Sequence, residues 1–294
     1  MTRPGPAFWR RASQTGVALA MAGVPFANLF GLHGVSGNFL AMDVFGLPLG
    51  DPLAAVQVLA SAGDITGRVA LGAGLALALA LVLGPVFCSY ACPYGLLSEL
   101  VHARSRRSGH LMGRLADTAV SAGFRVRAGA VLAGLILLAV FGLPPLLNLL
   151  SMPAYYSRLW QHVALGGVLW PVGGAVLMLA AEWRLGKRLW CGFACPQSVL
   201  LHLMARLNPW RLRLVHAPER CACAKGQSRC VAACSLGLDP RRPETLPLAC
   251  NNCGDCRTAC LRPGQALRFR LGRPDAQNAV LPGPEAGGLD KRPE

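Results

Sequence analysis

Long apolar stretches dominate the pattern of hydrophobic and polar positions. Four windows contain no charged residue: 15–32, 69–87, 128–150 and 163–181. A helix needs about 20 apolar residues to cross the hydrocarbon core of a bilayer, and each window is close to that length. The pattern predicts an all-α membrane protein with four transmembrane helices. The alternative, core helices of a soluble protein, would require a very large shell of polar structure around them.

Basic residues between the windows predict the orientation in the membrane. Arginine and lysine are enriched in loops on the cytoplasmic side. The segments before the first window and between the second and third are rich in arginine. The loop between the first and second carries Asp43, Asp51 and Asp64, with no basic residue before Arg68. Both termini are therefore predicted to be cytoplasmic. A cleavable signal peptide at the N-terminus is the alternative, but its removal would conflict with this charge pattern.

Composition agrees with a membrane setting. Hydrophobic residues make up 53% of the 294-residue chain and charged residues only 15%, against about 25% in ordinary soluble domains. The net charge of +15 is concentrated beside the apolar windows, which indicates contact with membrane lipid rather than with nucleic acid. No phosphate-binding glycine motif is present, so a nucleotide cofactor finds no support.

A Cys-x3-Cys-Pro motif occurs twice. Cys88 and Cys92 form the first copy, and Cys191 and Cys195 form the second. The proline of each copy suits the first turn of a helix, so each Cys-Pro is predicted to lie at a helix N-terminus, where the helix dipole favours a thiolate. Metal binding, disulfide chemistry and partner docking all remain open for these pairs, as does simple space filling by reduced cysteines. One metal centre shared by all four is geometrically allowed.

Short elements are predicted around these motifs. The residues after each proline, 94–104 and 197–206, have the pattern of amphipathic helices along the inner membrane surface. In the outer loop, Asp51 followed by Pro52 resembles a helix N-cap and first position, which predicts a surface helix over 53–62, with a plain loop as the alternative.

The last third of the chain is rich in cysteine. Cys250, Cys253, Cys256 and Cys260 follow the x2, x2, x3 spacing that wraps a 4Fe-4S cluster. Four-thiolate zinc sites are the alternative, but they usually separate two cysteine pairs by a longer loop. Disulfides are disfavoured because the topology places this part in the reducing cytoplasm. The spacing therefore predicts an iron-sulfur domain with an electron-transfer role.

A second cysteine run is less regular. Cys221 and Cys223 are one residue too close, and Cys230 and Cys234 follow after a longer gap. In two-cluster ferredoxins the fourth cysteine of each run binds the other cluster. We therefore predict one 4Fe-4S cluster on Cys234 together with the first three cysteines of the regular run. The second cluster is predicted on Cys221, Cys223, Cys230 and Cys260, with a three-iron or lost cluster as the competing reading.

These patterns divide the chain into four parts: a cytoplasmic N-terminus (1–14), a four-span membrane domain (15–208), a ferredoxin-like double-cluster domain (209–273) and a disordered tail (274–294). The last is rich in Pro, Gly and charge.

The combination resembles the ferredoxin-type NapH/MauN family of membrane proteins. The resemblance rests on the two Cys-x3-Cys-Pro motifs, the cysteine runs, Gly31-Leu32-His33-Gly34 and Asp51-Pro52-Leu53. It implies cluster ligation by the cysteines and electron transfer with a ferredoxin-type or other redox partner. One branch of this family serves periplasmic nitrate reductase, where it passes electrons from quinol, and the other serves methylamine utilisation. The irregular first run, with Ser235 after Cys234, favours the methylamine branch.

A quinol role would require a proton acceptor at the membrane edge. His33, His162 and Asp51 are candidates, each with a structural alternative, while His102, His110, His202 and His216 are expected at the cytoplasmic surface. The predicted function is an electron relay without stand-alone catalytic activity. The alternative is a maturation factor that reduces a metal or cysteine during assembly of another enzyme.

Overall fold

The computed structural model describes residues 6–107, 117–144, 146–167, 172–186, 188–223, 228–242, 246–260 and 264–272. The predicted tail 274–294 and His110 lie outside this part of the chain. The longer helices are α1 (Pro6–Leu29), α2 (Pro52–Ala62), α3 (Gly67–Leu83), α5 (Pro93–Arg107), α6 (Asp117–Phe141), α7 (Met152–Leu165), α8 (Val172–Leu185) and α9 (Pro196–Leu207). The short ones are α4 (Phe87–Tyr90), α10 (Arg229–Ala233), α11 (Leu246–Ala249) and α12 (Asp255–Cys260). A π-helix covers Trp190–Ala194, and 3-10 turns cover Leu146–Leu150 and Pro218–Arg220.

The fold is mostly helical, with two small antiparallel sheets. Strands β1 (Val35–Gly37), β2 (Ala41–Val44) and β3 (Leu47–Gly50) form a meander in the loop between α1 and α2. Strands β4 (Leu212–His216) and β5 (Leu267–Leu271) pair in the C-terminal part.

One helix in the described residues is long and apolar enough to cross a membrane, Ala119–Phe141 within α6. It exposes large apolar side chains such as Leu132, Ile136 and Val140, which suits contact with lipid. Similar apolar side chains are exposed on α3 and α8, at Leu79 and Leu177.

Glycine residues end helices within the apolar windows, which a hydropathy pattern does not detect. The predicted continuous helix 163–181 is wrong, because α7 ends at Gly166 in a left-handed conformation (φ 72°) and α8 begins at Val172. The window 69–87 ends early at Gly84 (φ 78°), and the window 128–150 ends at Gly142 (φ 60°). Glycine accepts a positive φ at low cost, so it stops a helix within an apolar sequence.

Helix α2 has the predicted cap but not the predicted location. The Asp51 carboxylate accepts a hydrogen bond from Leu53 N at 3.0 Å, and Pro52 occupies the first helical position. Instead of lying on a surface, α2 packs into the protein. Leu53 contacts a buried cluster with Val131 and Val199. Gln57, which is fully buried, donates to Asn148 Oδ1 at 2.7 Å.

Residues 212–271 form a small module around the cysteine runs. Strands β4 and β5 pair with Leu214 opposite Phe269, and α10 packs against α12. Apolar side chains from both strands and from the connecting segments form its core with Cys230, Cys256 and Cys260.

Buried polar contacts hold this module against the N-terminal helices. The Arg10 guanidinium, 1% exposed, donates to Glu99 of α5 and to Asp255 of α12, the latter at 3.0 Å. Asn252 donates to the carbonyl oxygen of Leu83 at 3.0 Å, and Ser89 donates to the carbonyl oxygen of Asn251. These bonds link α1, α3, α4 and α5 to the cysteine module. The helices and the module therefore share one interface.

Candidate metal centres

Four cysteines of the C-terminal module line one cavity: Cys234, Cys250, Cys253 and Cys256. This is the same set that the crossed arrangement predicts from the sequence. The thiol of Cys256 is buried, whereas Cys234, Cys250 and Cys253 are half-buried. Apolar side chains such as Leu236, Leu238 and Phe269 complete the wall. The cavity therefore combines four soft sulfur ligands with a largely apolar surrounding.

The backbone between Cys250 and Cys256 turns tightly. Asn252 (φ 54°) and Gly254 (φ 82°) both adopt the left-handed conformation, which is accessible to glycine and tolerated by asparagine. A Cβ on Gly254 would also lie 3.3 Å from the Phe269 ring. These two residues allow three successive cysteines, each separated from the next by two residues, to turn toward the same cavity.

The irregular run brings some of its cysteines near Cys260. Cys230, on α10, is buried and within electrostatic range of Cys260. Arg241 lies within range of both Cys230 and the exposed Cys221. The backbone of residues 220–222 passes so close to Gly264 that a Cβ there would lie 2.2 Å from the Arg220 carbonyl oxygen. Cys223 is half-buried and borders residues 224–227, outside the described part.

The two Cys-x3-Cys-Pro motifs meet. Cys88, Cys92, Cys191 and Cys195 line a single cavity, although the two copies are far apart in sequence. Helices α5 and α9 begin at the prolines that follow Cys92 and Cys195, as predicted. Helix α9 is largely buried, however, so the prediction that it lies along a membrane surface is wrong.

In both copies of the Cys-x3-Cys-Pro motif, the same backbone hydrogen bond fixes the position of the second cysteine. The amide of Cys92 donates to the carbonyl oxygen of Phe87 at 3.0 Å, and the amide of Cys195 donates to that of Trp190 at 2.8 Å. Each bond spans five residues, the spacing of a π turn, and such turns are frequent at functional sites. The sequence repeat is therefore also a structural repeat.

Gly95 allows α5 to pack closely against α4 in the first copy of the motif. A Cβ at this position would lie 2.6 Å from the Cys88 carbonyl oxygen, closer than real contacts permit. We expect Gly95→Ala to displace α5 from α4 and to destabilise the protein by about 1–3 kcal/mol, measured by thermal unfolding in detergent. Gly129→Ala on α6 is the control, since nothing lies within 4 Å of that position. An unchanged unfolding temperature for Gly95→Ala would contradict this packing.

Two arginines approach the four-cysteine cavity. Arg188 Nη2 lies 3.5 Å from Cys191 Sγ, and its Nη1 donates to Ser235 Oγ at 3.2 Å. Arg127 Nη1 donates to the Cys191 carbonyl oxygen at 3.2 Å and to Ser198 Oγ at 2.7 Å. Buried positive charge of this kind stabilises a group of thiolates that carries net negative charge.

Several residues that line the same cavity have a buried polar atom without a hydrogen-bond partner in the described part of the chain. These atoms are Tyr94 Oη, Trp190 Nε1, His202 Nε2 and Asn251 Oδ1. Buried polar atoms are normally paired. Tyr94 Oη and Trp190 Nε1 each carry a hydrogen that can be donated to a sulfur of an iron-sulfur cluster, and so does His202 Nε2 when it is protonated, whereas Asn251 Oδ1 can only accept. The donor set and the four thiols therefore both fit a cluster at this location.

A single metal ion fits less well. Within the described ranges, no three or more His, Cys, Asp and Glu side chains are gathered closely enough to hold one ion. In a 4Fe-4S cluster each of the four cysteines binds a different iron, so the sulfurs need not converge on one point.

Burial opposes the predicted effect of the helix dipole on these thiols. It raises the pKa of Cys92 and of Cys195 to about 12, which works against the thiolate that the helix dipole favours. In the C-terminal cavity burial raises the pKa of Cys250 to about 11. Metal binding at any of these thiols would therefore release protons.

The cavities are neighbours. Leu236 and Asn251 line both the Cys234 cavity and the four-cysteine cavity. Phe87 and Gln197 line both the four-cysteine cavity and a third, mainly apolar cavity of about 420 Å³. Two pairs of residues thus separate three consecutive compartments.

The candidate proton acceptors do not lie together. Asp51 is buried and lines the large apolar cavity, whereas His33 is exposed in a different, open groove. His162 lies in the last turn of α7. The prediction that His202 is a surface residue is wrong, since it is 3% exposed and lines the four-cysteine cavity. His102 is buried as well.

Sequence patterns missed the arginines, Gln197 and the asparagines at these sites. Arg188 precedes its motif, but the equivalent position of the first copy is Pro85, so the repeat gives no signal for it. Arg127 was expected in a cytoplasmic loop and lies within α6.

Comparison with known proteins agrees with this geometry. A family model described as a 4Fe-4S binding domain matches residues 66–109 and 164–217, which include both Cys-x3-Cys-Pro motifs. The methylamine utilization ferredoxin-type protein MauN of Methylorubrum extorquens is 29% identical over 80% of this chain and 68% of its own length. MauN of Paracoccus denitrificans is 27% identical over 84% of this chain and 82% of its own length.

The ferredoxin-type protein NapH of Haemophilus influenzae is 24% identical over 86% of each chain. No solved structure matches the chain. The resemblance to the NapH/MauN family is thereby confirmed, and these similarities support iron-sulfur clusters and an electron-transfer role.

Proposed function

We propose that this chain, a relative of the NapH and MauN ferredoxin-type proteins, is a membrane-bound iron-sulfur relay. It would carry electrons between the quinone pool, or a ferredoxin-type partner, and a periplasmic redox system. Methylamine utilisation is the proposed pathway, because two of the three relatives carry that description. The nitrate-reductase branch is the alternative. It is supported by NapH, whose alignment covers equal shares of this chain and of its own length.

The observation that carries this proposal is the series of adjoining cysteine cavities. We assign one 4Fe-4S cluster to Cys234, Cys250, Cys253 and Cys256, which line one cavity. A second is assigned to Cys221, Cys223, Cys230 and Cys260. The four-cysteine cavity of Cys88, Cys92, Cys191 and Cys195 would hold a third centre. Bound 4Fe-4S clusters supply one-electron carriers.

Residues of the chain have distinct roles in this relay. The cysteines hold the clusters, and Arg188 offsets their negative charge beside Cys191. The apolar side chains of Leu236 and Phe269 keep water away, which affects the reduction potential. The walls shared by the cavities keep adjacent centres close. In this proposal the chain is a multi-pass protein of the bacterial inner membrane, with the ferredoxin-like domain (209–273) in the cytoplasm.

Iron and acid-labile sulfide per chain, measured on anaerobically purified protein, test this proposal. We expect about eight irons from the two C-terminal clusters and about twelve if the Cys-x3-Cys-Pro pairs hold a third. After reduction with dithionite, low-temperature EPR should show the broadened signal of interacting clusters. About four irons would remove the Cys221 cluster from the assignment, and zinc without iron would overturn the relay.

Timed depletion separates the relay from a maturation factor. When synthesis of this protein is stopped after its partner enzyme has matured, loss of a relay stops substrate turnover by that enzyme. Loss of a maturation factor would leave the existing enzyme active, and that outcome would contradict our proposal.

A further inference from the structure

A small polar pocket lies where the C-terminal module meets the end of α3. Its volume is about 40 Å³, more than the ~10–15 Å³ that one water molecule needs. Arg211, Arg213 and Asn252 supply its polar lining, and none of the described residues that line it is acidic. The pocket therefore presents two positive charges to a ligand.

Arg211 is buried at this pocket without a carboxylate partner. It is 8% exposed, and within the described ranges its guanidinium makes no hydrogen bond or ion pair. Burial, and then the neighbouring charge of Arg213, lower the pKa of Arg211. Burying a charge without a partner is costly. An anion bound beside both arginines would offset that cost.

A phosphate group suits these donors. A guanidinium is a planar fork that donates two parallel N–H bonds to two oxygens of a phosphate. Arg213 is held in place by its bond from Nη2 to the Pro209 carbonyl oxygen at 2.5 Å. Arg211 Nη1 lies beside the end of α3, because a Cβ on Gly84 would be 3.8 Å from it. The pocket is therefore open to a ligand that lies along the ends of the long helices.

Exposed apolar side chains adjoin the pocket. Trp210, next to Arg211 in the sequence, is 58% exposed, and Leu207 at the end of α9 is 63% exposed. Asn208 Nδ2 donates to the Leu81 carbonyl oxygen at 2.8 Å, so the ends of α3 and α9 lie side by side. Tryptophan is enriched at the interface between membrane and water. Free phosphate would leave this apolar surface uncovered, whereas the acyl chains of a phospholipid would cover it.

We propose that this pocket binds the phosphate group of an anionic phospholipid, with Arg211 as its main contact. The inference rests on the membrane placement proposed above, in which the C-terminal module faces the cytoplasm. Basic pockets between helices on that side of a membrane suit anionic headgroups. The bound lipid anchors the module at the membrane surface, next to Cys250, which also lines the pocket.

Thermal unfolding and native mass spectrometry of the full-length protein in detergent test the ligand. A ligand that binds only the folded state raises its stability. Dioleoylphosphatidylglycerol should therefore raise the unfolding temperature and remain bound to the chain. Dioleoylphosphatidylcholine, which has the same phosphodiester but no net charge, should bind more weakly, and inorganic phosphate at the same concentration should have no effect. Equal stabilisation by inorganic phosphate would overturn the assignment to a lipid.

Substitution of Arg211 tests the site. Arg211→Gln should lower the affinity for dioleoylphosphatidylglycerol by about tenfold to a hundredfold, and Arg211→Lys should keep part of it. Without lipid, Arg211→Gln should unfold at the wild-type temperature or above, because it removes a buried charge that has no partner. Arg268→Gln is the control, since that partly buried arginine of β5 does not line the pocket. Equal lipid affinity of Arg211→Gln and wild type would refute the site.

A role of Arg211 in balancing the charge of the cluster predicts a different result. Cys250 lies within electrostatic range of Arg211. If Arg211→Gln shifts the reduction potential of that cluster in an EPR titration but leaves lipid binding unchanged, our inference is wrong. The proposed relay fails separately: zinc without iron would overturn the relay, whereas lipid binding that depends on Arg211 would still support this site.

Discussion

Replacing Cys253 with alanine is expected to remove one complete cluster, or about four irons per chain. Cys253 lies at the centre of the tight turn between Cys250 and Cys256 and lines their common cavity. The remaining three thiols could not complete the four-cysteine set. Iron analysis and EPR after dithionite reduction measure the loss. Thr258→Ala on α12 is the control, because that hydroxyl donates to a backbone oxygen of its own turn, the Gly254 carbonyl, at 3.2 Å.

The crossed ligand assignment makes a sharper prediction. Because Cys234 lines the same cavity as Cys253, Cys234→Ala should lose the same four irons, and the double variant should lose no more than either single variant. If each run bound its own cluster, the double variant would lose about eight irons. That result would refute the crossed arrangement while leaving two clusters in place.

Replacing Arg10 with methionine should strongly destabilise the docked module. The guanidinium is 1% exposed and bonds to both Glu99 and Asp255. Its removal leaves two neighbouring carboxylates without their shared cation. Breaking a buried ion pair in this way costs about 3–5 kcal/mol. Thermal unfolding should therefore begin at a lower temperature, and limited proteolysis should cut the chain near Pro209, between the helices and the module.

Arg11→Met is the matched control. Arg11 also bonds to Glu99, but its side chain is 54% exposed, and an exposed partner contributes about 0–1 kcal/mol. Equal destabilisation by the two variants would contradict the importance of the buried bonds.

The decrease in unfolding temperature caused by Arg10→Met should become smaller as the pH falls. Burial alone would raise the pKa of Glu99, but its bonds to Arg10 and Arg11 hold that pKa below the usual value of 4.5. The stabilisation by this pair is fully present above the unfolded-state pKa and is lost as the pH falls through the folded-state pKa. The difference in unfolding temperature between wild type and Arg10→Met should therefore shrink in acid.

Sequence patterns gave the local elements better than their arrangement. The cap at Asp51 and the helices after the two Cys-Pro pairs follow from short-range chemistry, which a sequence displays directly. The ends of the apolar helices at Gly84, Gly142 and Gly166 depend on backbone conformation. A hydropathy window averages over that conformation and therefore misses it.

Long-range contacts account for most of what could not be predicted. The burial of α2 depends on the hydrogen bond from Gln57 to Asn148, which lies 91 residues further along the chain. The orientation of Arg188 depends on Ser98 and Ser235, which belong to two other parts of the chain. The sequence allowed a centre shared by the two cysteine pairs but did not require it. Helix packing brings the two pairs to one cavity.

The π turn that ends at Cys195 restricts how this part of the gene can change in length. Its five-residue bond from Cys195 to Trp190 accommodates one residue more than an α-helical turn. Deleting Gly192 would restore regular α-helical spacing, but each residue turns a helix by about 100°, so the second cysteine would face away from its three partners. Descendants of this sequence can therefore exchange the residues between the two cysteines but cannot lose one, and the three-residue spacing is fixed by backbone geometry.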